Sequence, residues 1–279
     1  MKHFNGKVAA ITGAGSGMGR ELALQLAARG CHLSLSDVND KGLAETVALL
    51  AGSNVKVTHA RVDVADREAM FAWADATARE HGKVNLIFNN AGVGLGATVE
   101  GMSYRDFEWL MNINFWGVVH GTKAFLPHLK AAGEGHVINT SSVFGLIGVP
   151  SQSAYNAAKF AVRGFTESLR MELDIERCGV SATSVHPGGI KTNIARDARM
   201  DASIESLGMD AKSSSTEFEK NFITTAARAA TIIIRAVESN KRRVMVGPDA
   251  YAVDLMARLL PSLYQRLVIR ASRAKMGMK

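Results

Sequence analysis

The chain has 279 residues, and with 47% hydrophobic and 21% charged residues its composition excludes a disordered or collagen-like protein. No run of about 18 uninterrupted apolar residues occurs and the first residues show no signal-peptide pattern, so we expect neither a transmembrane helix nor secretion. The formal charge of +7 comes from 33 basic and 26 acidic residues, but six of the basic ones lie in residues 255–279, where there is no acid. The rest of the chain is nearly neutral, which removes most of the support for nucleic-acid binding.

Short β-branched runs alternate with longer segments of helical periodicity. The predicted strands are Val8–Thr12, His32–Ser36, Val55–His59, Leu86–Phe88, His136–Thr140, Val180–His186 and Val244–Val246. The predicted helices are Arg20–Arg29, Lys41–Leu50, Arg67–His81, Tyr104–Leu129, Tyr155–Arg177 and Phe222–Ser239. Because strands separated by helices form right-handed crossovers, we predict an α/β fold with a doubly wound parallel sheet of about seven strands, covered by helices on both faces.

We interpret residues 1–279 as a single domain with two additions. The segment around 191–215 is polar and serine-rich and loses the periodic pattern. Irregular segments of this length inside a domain are usually lids, binding loops or disordered, and we expect a substrate loop here. Residues 249–279 form a basic C-terminal tail.

A glycine-rich segment follows the first predicted strand and opens the first helix. Thr12–Gly19 reads T-G-A-G-S-G-M-G, which fits T-G-x-x-x-G-x-G but not G-x-G-x-x-G. Glycines let the backbone approach a pyrophosphate, and a helix N-terminus offers it free N–H groups. A tight turn without a ligand is the alternative. The predicted cofactor contacts in this loop are Gly13, Ser16, Gly17, Met18 and Gly19.

Polar residues end the next three predicted strands, where ligands bind in open α/β sheets. Asp37 lies 20 residues after Gly17, where a carboxylate can accept hydrogen bonds from an adenosine ribose. The alternative role, capping the following helix, can be filled by Asn39 or Asp40. The further predicted cofactor contacts at strand ends are Asp63, Val64, Asn90, Ala91 and Gly92.

A tyrosine and a lysine are spaced to share one helix face. Tyr155 and Lys159 are four residues apart at the start of a helical segment. A nearby ammonium is expected to lower the pKa of a phenol toward the range useful for proton transfer. Ser142 ends the fifth predicted strand at the same sheet edge, where its hydroxyl can bond a substrate oxygen. An exposed helix face is the alternative for a Tyr/Lys pair, but it would not explain the glycine loop, Asp37 and Ser142 beside it.

Taken together, these motifs resemble those of the short-chain dehydrogenase/reductase family, from about Gly6 to Gly247. They are T-G-x-x-x-G-x-G at Thr12–Gly19, N-N-A-G at Asn89–Gly92, Asn114, Ser142, Y-x-x-x-K at Tyr155–Lys159, and Pro187-Gly188. The resemblance implies a Rossmann-like fold and a catalytic set of Asn114, Ser142, Tyr155 and Lys159. Ala158 departs from the serine that the family often has before the lysine, at a position with no chemical role.

The resemblance also implies a role for each of these residues. Tyr155 is the general acid/base, Ser142 orients the substrate, and Lys159 holds the nicotinamide ribose and tunes Tyr155. Asn114 anchors a water that links Lys159 to solvent. Thr192 meets the nicotinamide carboxamide or the pyrophosphate. Pro187, Gly188 and Ile190 complete the predicted cofactor contacts, with Tyr155 and Lys159.

We therefore predict a cytoplasmic oxidoreductase that transfers a hydride between NAD and an uncharged, hydrophobic secondary alcohol or ketone. Asp37 would repel the 2′-phosphate of NADP, while Val38 and Ser16 offer it no cation. Cys31 and Cys178 have neither metal nor redox spacing, no metal site is predicted, and two unpaired thiols suit a reducing cytosol. A non-catalytic NAD sensor of the same fold is the alternative, although a sensor would have no reason to keep all four catalytic residues.

The predicted substrate pocket is mostly apolar and has no cation to bind a carboxylate or phosphate. Its predicted substrate contacts are Ser142, Phe144 and Tyr155. Its further expected borders, by their place after strand ends, are Gly94, Leu95, Val143, Val149, Gln152 and part of the loop after Thr192.

The family resemblance implies a homo-oligomer, most often a tetramer, built on the helices that begin near Ser103 and Tyr155. These segments are apolar over more than one face and so need a second burial partner. The residues concerned are Phe107, Leu110, Met111, Val118, Val119, Phe125 and Leu126 in one, and Phe160, Phe165, Leu169 and Leu173 in the other.

The tail is expected to form two helices separated by Pro261, the first over Asp249–Leu260 and the second from Ser262. In the second, the apolar residues Leu263, Tyr264, Leu267, Val268 and Ala271 lie beside a stripe of arginines at 266, 270 and 273. We favour a packing arm whose apolar face covers the pocket or a neighbouring subunit. Attachment to anionic lipid is the alternative.

Overall fold

The central sheet has seven parallel strands, as the sequence predicted. A computed structural model describes residues 3–211 and 222–275 of the chain. The strands are β1 Val8–Thr12, β2 His32–Asp37, β3 Val57–Arg61, β4 Leu86–Asn89, β5 Gly135–Thr140, β6 Val180–Pro187 and β7 Arg243–Val246. Their order is β7-β6-β5-β4-β1-β2-β3, the arrangement of a doubly wound Rossmann-like sheet. The predicted fold class is therefore confirmed.

Helices follow the strands along the chain. They are α1 Gly17–Ala27, α2 Asp40–Leu49, α3 Arg67–His81, α4 Tyr104–Met111, α5 Gly117–Ala131, α6 Ser153–Glu176, α7 Ala226–Glu238, α8 Pro248–Leu259 and α9 Tyr264–Lys275. Local signals set several ends. The side chains of Asn39, Asp66 and Thr225 accept backbone N–H bonds at the starts of α2, α3 and α7. Gly82 ends α3 at φ 74°, a conformation that favours glycine.

Two apolar clusters sandwich the sheet. Side chains of α1 and α7, such as Leu26 and Ile233, pack on one face with the sheet residue Leu35. Side chains of α3 and α5, such as Trp73 and Phe125, pack on the other face. Because helices cover both faces of the sheet, all five residues of β1 are buried, and four of them are apolar.

Four predicted elements differ from the structure. The first helix begins at Gly17 rather than Arg20 and ends at Ala27 rather than Arg29. The third strand lies two residues later than the predicted Val55–His59. The predicted helix Tyr104–Leu129 is interrupted by a π-helical turn over Asn112–Trp116, which periodicity does not encode. The last core helix begins at Ala226 rather than Phe222, because Thr224–Thr225 first pairs with Ile190–Lys191 as short parallel strands.

The expected substrate loop has more regular structure than its composition indicated. Arg199–Met200 pairs with Leu95–Gly96, and Ala202–Leu207 forms a 3₁₀ helix. Arg199 stacks on the Trp109 ring at 3.5 Å and donates to Asp106, which ties this segment to α4. The Ser213–Ser215 run lies outside the described residues.

The two tail helices form within two residues of their predicted limits, on either side of Pro261. Across the described residues, none of the helices is both long enough and apolar enough to cross a membrane.

Candidate active site

A cleft of about 280 Å³ opens at the carboxyl ends of β1, β2 and β4. Its walls require glycine at several points. Gly13 has φ 65°, and a Cβ there would lie 2.9 Å from the Ala91 Cα. A Cβ on Gly19 would collide with the carbonyl oxygen of Gly13. The loop backbone therefore lies tight against β4 and the start of α1, and leaves the cleft open for a ligand.

The glycine loop is fixed to the end of β4 by Thr12 and Asn90. The Thr12 hydroxyl accepts hydrogen bonds from the backbone N–H groups of Asn90 and Ala91, both at 3.0 Å. The Asn90 amide in turn donates to the Thr12 carbonyl at 3.1 Å. The cleft is thus lined by Asn90, Ala91 and Gly92. The bonds of Asn90 and Ala91 with Thr12 also fix the position of the glycine loop on the other side of the cleft.

Asp37 faces the cleft, and the capping role falls to its neighbour. Asn39 caps α2, accepting from the Gly42 N–H at 3.0 Å. The Asp37 carboxylate accepts from Gly15 N–H at 2.8 Å and from Asn39 N–H at 2.9 Å. Each oxygen keeps a further lone pair for a ligand hydroxyl. The remaining predicted contacts on the cleft wall are Ser16, Gly17, Met18, Asp63, Val64, Gly92 and Thr192.

These residues fit a dinucleotide. The glycine loop and the N-terminus of α1 suit a pyrophosphate, and the Asp37 carboxylate suits a ribose diol. Thr192 lies across the loop, with its methyl group 3.0 Å from the position of a Cβ on Gly17. Among the residues that the structure describes, no three or more histidines, cysteines or carboxylates are grouped so that they could bind a metal ion.

A second cavity of about 310 Å³ adjoins the cleft and contains the predicted catalytic side chains. Ser142 lies two residues after the end of β5 and caps a short 3₁₀ helix over Val143–Gly145, while Tyr155 and Lys159 lie in the first turns of α6. The Lys159 ammonium is buried, donates to the Thr140 carbonyl at 2.9 Å, and lies 5.5 Å from the centre of the Tyr155 ring. The ring of Phe144 meets Tyr155 edge-on at 6.1 Å. Ser142, Phe144, Tyr155 and Lys159 therefore form one cluster.

Burial controls the protonation of this cluster. It raises the pKa of Tyr155 to about 12, an effect that a hydrogen bond with Ser142 only partly offsets. Burial also lowers the pKa of Lys159 to about 8. From the sequence, the Lys159 ammonium was expected to lower the pKa of Tyr155. In the structure, desolvation of the phenolate is the larger effect and raises that pKa. Tyr155 is therefore a protonated phenol at neutral pH.

Asn114 lies in the π-helical turn and is fully buried. Its side chain accepts from the Val93 N–H and donates to the Val93 carbonyl, both at 2.8 Å. A Cβ on Gly92 would lie 3.2 Å from the Asn114 amide oxygen and 3.6 Å from the Lys159 ammonium. Asn114 therefore adjoins the lysine, and its amide holds the chain just after Gly92 in place.

The lining of the second cavity is largely apolar. Of the lining residues described, only Lys159 and Asp249 are charged, and Asp249 already accepts from Gly189 N–H at 2.6 Å. The expected pocket borders Gly94, Leu95, Val143 and Gln152 line it. Pro187, Gly188 and Ile190, predicted as cofactor contacts, also lie on this cavity rather than on the glycine-lined cleft. Val149, also expected to border the pocket, is not among its lining residues, and its N–H donates to the Asn156 side chain at 3.0 Å.

Several residues that line the cavity were not named individually from the sequence. Met200 lies in the loop after Thr192, part of which was expected to border the pocket. Phe222 precedes α7, while Asp249 and Val253 lie in the tail, and none of these three belongs to a sequence motif. The Asn156 amide donates to the carbonyls of Phe144 and Ile147, both at 2.8 Å, and so holds the loop after Ser142. The Nδ1 atom of His186, in β6, lies 3.0 Å from the Ser142 carbonyl oxygen.

Known proteins share both the sequence pattern and the fold of this chain. The family model described as short chain dehydrogenase matches residues 7–203. A Mycobacterium tuberculosis protein named as an oxidoreductase, SadH, is 49% identical over 269 residues, which is 96% of each chain. The crystal structure of a Burkholderia phymatum short-chain dehydrogenase/reductase in complex with NAD superposes with a TM-score of 0.87 at 33% identity, covering 95% of this chain and 97% of that one. Levodione reductase superposes with a TM-score of 0.77 at 30% identity, covering 90% and 100%.

Proposed function

The chain belongs to the short-chain dehydrogenase/reductase family, and on that premise we propose that this oxidoreductase uses NAD to interconvert an uncharged, hydrophobic secondary alcohol and its ketone. The observation that carries the proposal is the position of Tyr155. This protonated phenol lies beside the Ser142 hydroxyl, in a mostly apolar cavity that opens onto the glycine-lined cleft.

Tyr155 supplies the proton when a ketone is reduced. Its pKa of about 12 keeps the phenol protonated, so it can donate a hydrogen bond and then a proton to a carbonyl oxygen. The Ser142 hydroxyl, next to it just after the end of β5, orients that oxygen. The buried Lys159 ammonium compensates negative charge that develops on the tyrosine as its proton leaves. A bound nicotinamide supplies or accepts the hydride.

NAD rather than NADP is the proposed cofactor because of charge at the ribose end of the cleft. The Asp37 carboxylate would repel a 2′-phosphate, and the neighbouring Val38 and Ser16 are neutral. The NAD complex of the Burkholderia phymatum relative supports this choice.

The proposed substrate class follows from the lining of the second cavity. Valine, phenylalanine, methionine and isoleucine side chains line the cavity that contains Tyr155, and Lys159 donates to a backbone carbonyl. The Asp249 carboxylate would repel a substrate carboxylate or phosphate, and the Lys159 ammonium is already engaged by the Thr140 carbonyl. A name such as levodione reductase, among the similar structures, fits the reducing direction.

The test is a panel of ketones and secondary alcohols with NAD(H) and NADP(H), read by the absorbance of the reduced nicotinamide. We expect turnover with apolar substrates and NAD(H), and little with their charged analogues. The matched control is Tyr155→Phe, which keeps the shape of the site. A protein that binds NADH by fluorescence yet turns over no member of the panel would instead be the NAD sensor considered above.

The proposal also places the enzyme in the cytoplasm. The free thiol of Cys31 is fully buried, and Cys178 has no disulfide partner among the described residues. Unpaired cysteines are typical of a reducing compartment.

A further inference from the structure

The C-terminal tail exposes an unusual share of the large apolar side chains. Six of the sixteen exposed large hydrophobic residues of the described chain lie in residues 251–269, with exposed fractions between 45% and 69%. They are Tyr251, Leu255, Leu259, Leu263, Leu267 and Ile269. The first five follow one another at steps of four, which keeps residues of one helix on one face. The tail therefore carries apolar stripes that the body of the protein does not cover.

Cations surround these stripes. The last acid of the chain is Asp254, which pairs with Arg243 and Arg258. Six basic residues and no acid lie in residues 255–279. Arg266, Arg270 and Arg273 are exposed, and none has an ion-pair partner among the residues that the structure describes. The exposed surface of the tail thus combines bulky apolar groups with uncompensated positive charge.

The tail is nevertheless docked on the body. Tyr264 is only 9% exposed, and its hydroxyl accepts from the Gly148 N–H at 2.9 Å. Ala250 and Val253 of α8 pack with Val143 and Met245. Of the apolar residues expected to form the packing face, Tyr264 alone is buried, while Leu263 and Leu267 face solvent. Because contacts with the body fix the inner sides of the helices, their outer sides are available to a partner.

We infer that residues 251–273, the tail surface, bind reversibly to the surface of an anionic phospholipid bilayer. Exposed leucines can enter the headgroup region, while arginines pair with lipid phosphates. A second copy of this chain is a poorer occupant. A two-fold contact of the tail surface with itself would oppose two clusters of arginine with no acid to compensate them. An anionic bilayer supplies both the apolar layer and the complementary charge.

Membrane binding at this surface also bears on the substrate, and this step rests on the proposed function. Tyr264 bonds the loop that follows Ser142, and Val253 lines the second cavity. The tail surface and the cavity therefore share a wall. A bilayer at the tail would bring the cavity close to alcohols or ketones that partition into lipid.

The experiment is co-sedimentation of the full-length protein with vesicles, which requires no turnover. Vesicles of phosphatidylcholine with one third phosphatidylglycerol are compared with pure phosphatidylcholine, at low and high salt. We expect sedimentation with the anionic vesicles at low salt and its loss at high salt. Arg266→Gln, Arg270→Gln and Arg273→Gln together should weaken binding roughly 100-fold, since each basic residue near such a surface contributes roughly a factor of five. Leu255→Gln with Leu259→Gln should also weaken it.

The matched control removes the same charge elsewhere, with Arg67→Gln, Arg79→Gln and Lys83→Gln, and should bind as the wild type does. Thermal melts show whether each variant is folded, and substitutions at these exposed positions should leave the melting temperature unchanged. A wild-type protein that ignores anionic vesicles at low salt overturns the inference. So does a triple-arginine variant that binds normally. If the tail variants instead lower the mass in light scattering while vesicles have no effect, a second copy is the occupant and the lipid assignment is wrong.

Discussion

At the scale of single residues, the proposed chemistry depends on one phenol. Tyr155 is partly buried beside Ser142, with the Lys159 ammonium over its ring, so removal of its hydroxyl should leave the packing intact. For Tyr155→Phe we expect turnover to fall by roughly 10² or more, because no other group replaces the lost proton donor. The affinity for NADH, measured by fluorescence titration, should stay near the wild-type value. Near-normal turnover on a good substrate would show that another group moves the proton.

Cofactor choice is also decided by few residues. Asp37 and Val38 lie side by side at the ribose end of the cleft, and Val38 is half exposed. Replacing them together, Asp37→Ala with Val38→Arg, removes the repulsion and supplies a cation. We expect the ratio of kcat/KM for NAD over NADP to invert. Val38→Ala is the control and should keep the NAD preference, while a wild-type enzyme that already favours NADP would contradict the assignment.

At the scale of elements, the residues that belong to sequence motifs could be located from the sequence. The elements that form only through contacts between distant segments could not. The glycine loop, Asp37, Ser142 and the Tyr155–Lys159 pair lie at one sheet edge because parallel strands all end there. The π-helical turn at Asn114 was missed because neighbouring segments, here the backbone of Val93, stabilise it. The contributions of Met200 and Val253 to the cavity arise from loop and tail docking. Neither leaves a periodic pattern in the sequence.

The tail and the catalytic loop are linked by one hydrogen bond. Tyr264→Phe removes the acceptor for Gly148 N–H while keeping the buried ring. Because a single neutral hydrogen bond contributes about 0.5–1 kcal/mol net, we expect the substrate KM to rise about two- to fivefold. The dissociation constant of NADH should not change, since the cleft is formed by other elements. Tyr251→Phe, which changes an exposed phenol on the same tail, is the control. Equal effects of the two variants would mean that the loop does not depend on Tyr264.

At the scale of the whole molecule, the structure alters the argument for self-association. Most residues that the sequence suggested for an interface are buried inside the chain itself, including Leu110, Phe125 and Leu173. Phe160, one of the suggested residues, does face outward, and it shares one face of α6 with Met171 and Ile175, which the sequence analysis did not name. Trp116, which precedes α5, is also exposed. We propose that the expected homo-oligomer, with a tetramer favoured, uses this surface.

For Met171→Lys with Ile175→Lys we expect a smaller particle in light scattering, because two ammonium groups would have to be buried in the contact. Leu49→Lys, at an exposed site on α2, is the control and should leave the mass unchanged. A wild-type protein that is monomeric at micromolar concentration would exclude the oligomer.

The pH dependence of folding is likewise a property of the whole chain, and two buried histidines control its acid side. Burial lowers the pKa of His136 to about 3 and that of His186 to about 4, so the folded protein keeps both rings neutral well below pH 6.5. The unfolded chain binds protons on both as the pH falls below 6.5, and the folded state therefore loses stability in that range. Each histidine removes up to about 1.4 kcal/mol per pH unit once the pH is well below 6.5, so between pH 6.5 and pH 5 the pair costs about 3 kcal/mol. Urea unfolding at pH 7, 6 and 5 should show this slope.

His136→Gln should roughly halve this pH dependence of the unfolding free energy, whatever its effect on stability at pH 7, because glutamine does not titrate. His128→Gln, which changes a histidine near the surface, should leave the slope unchanged, and a wild-type stability that is constant from pH 7 to pH 5 would contradict the neutral, buried state of both rings.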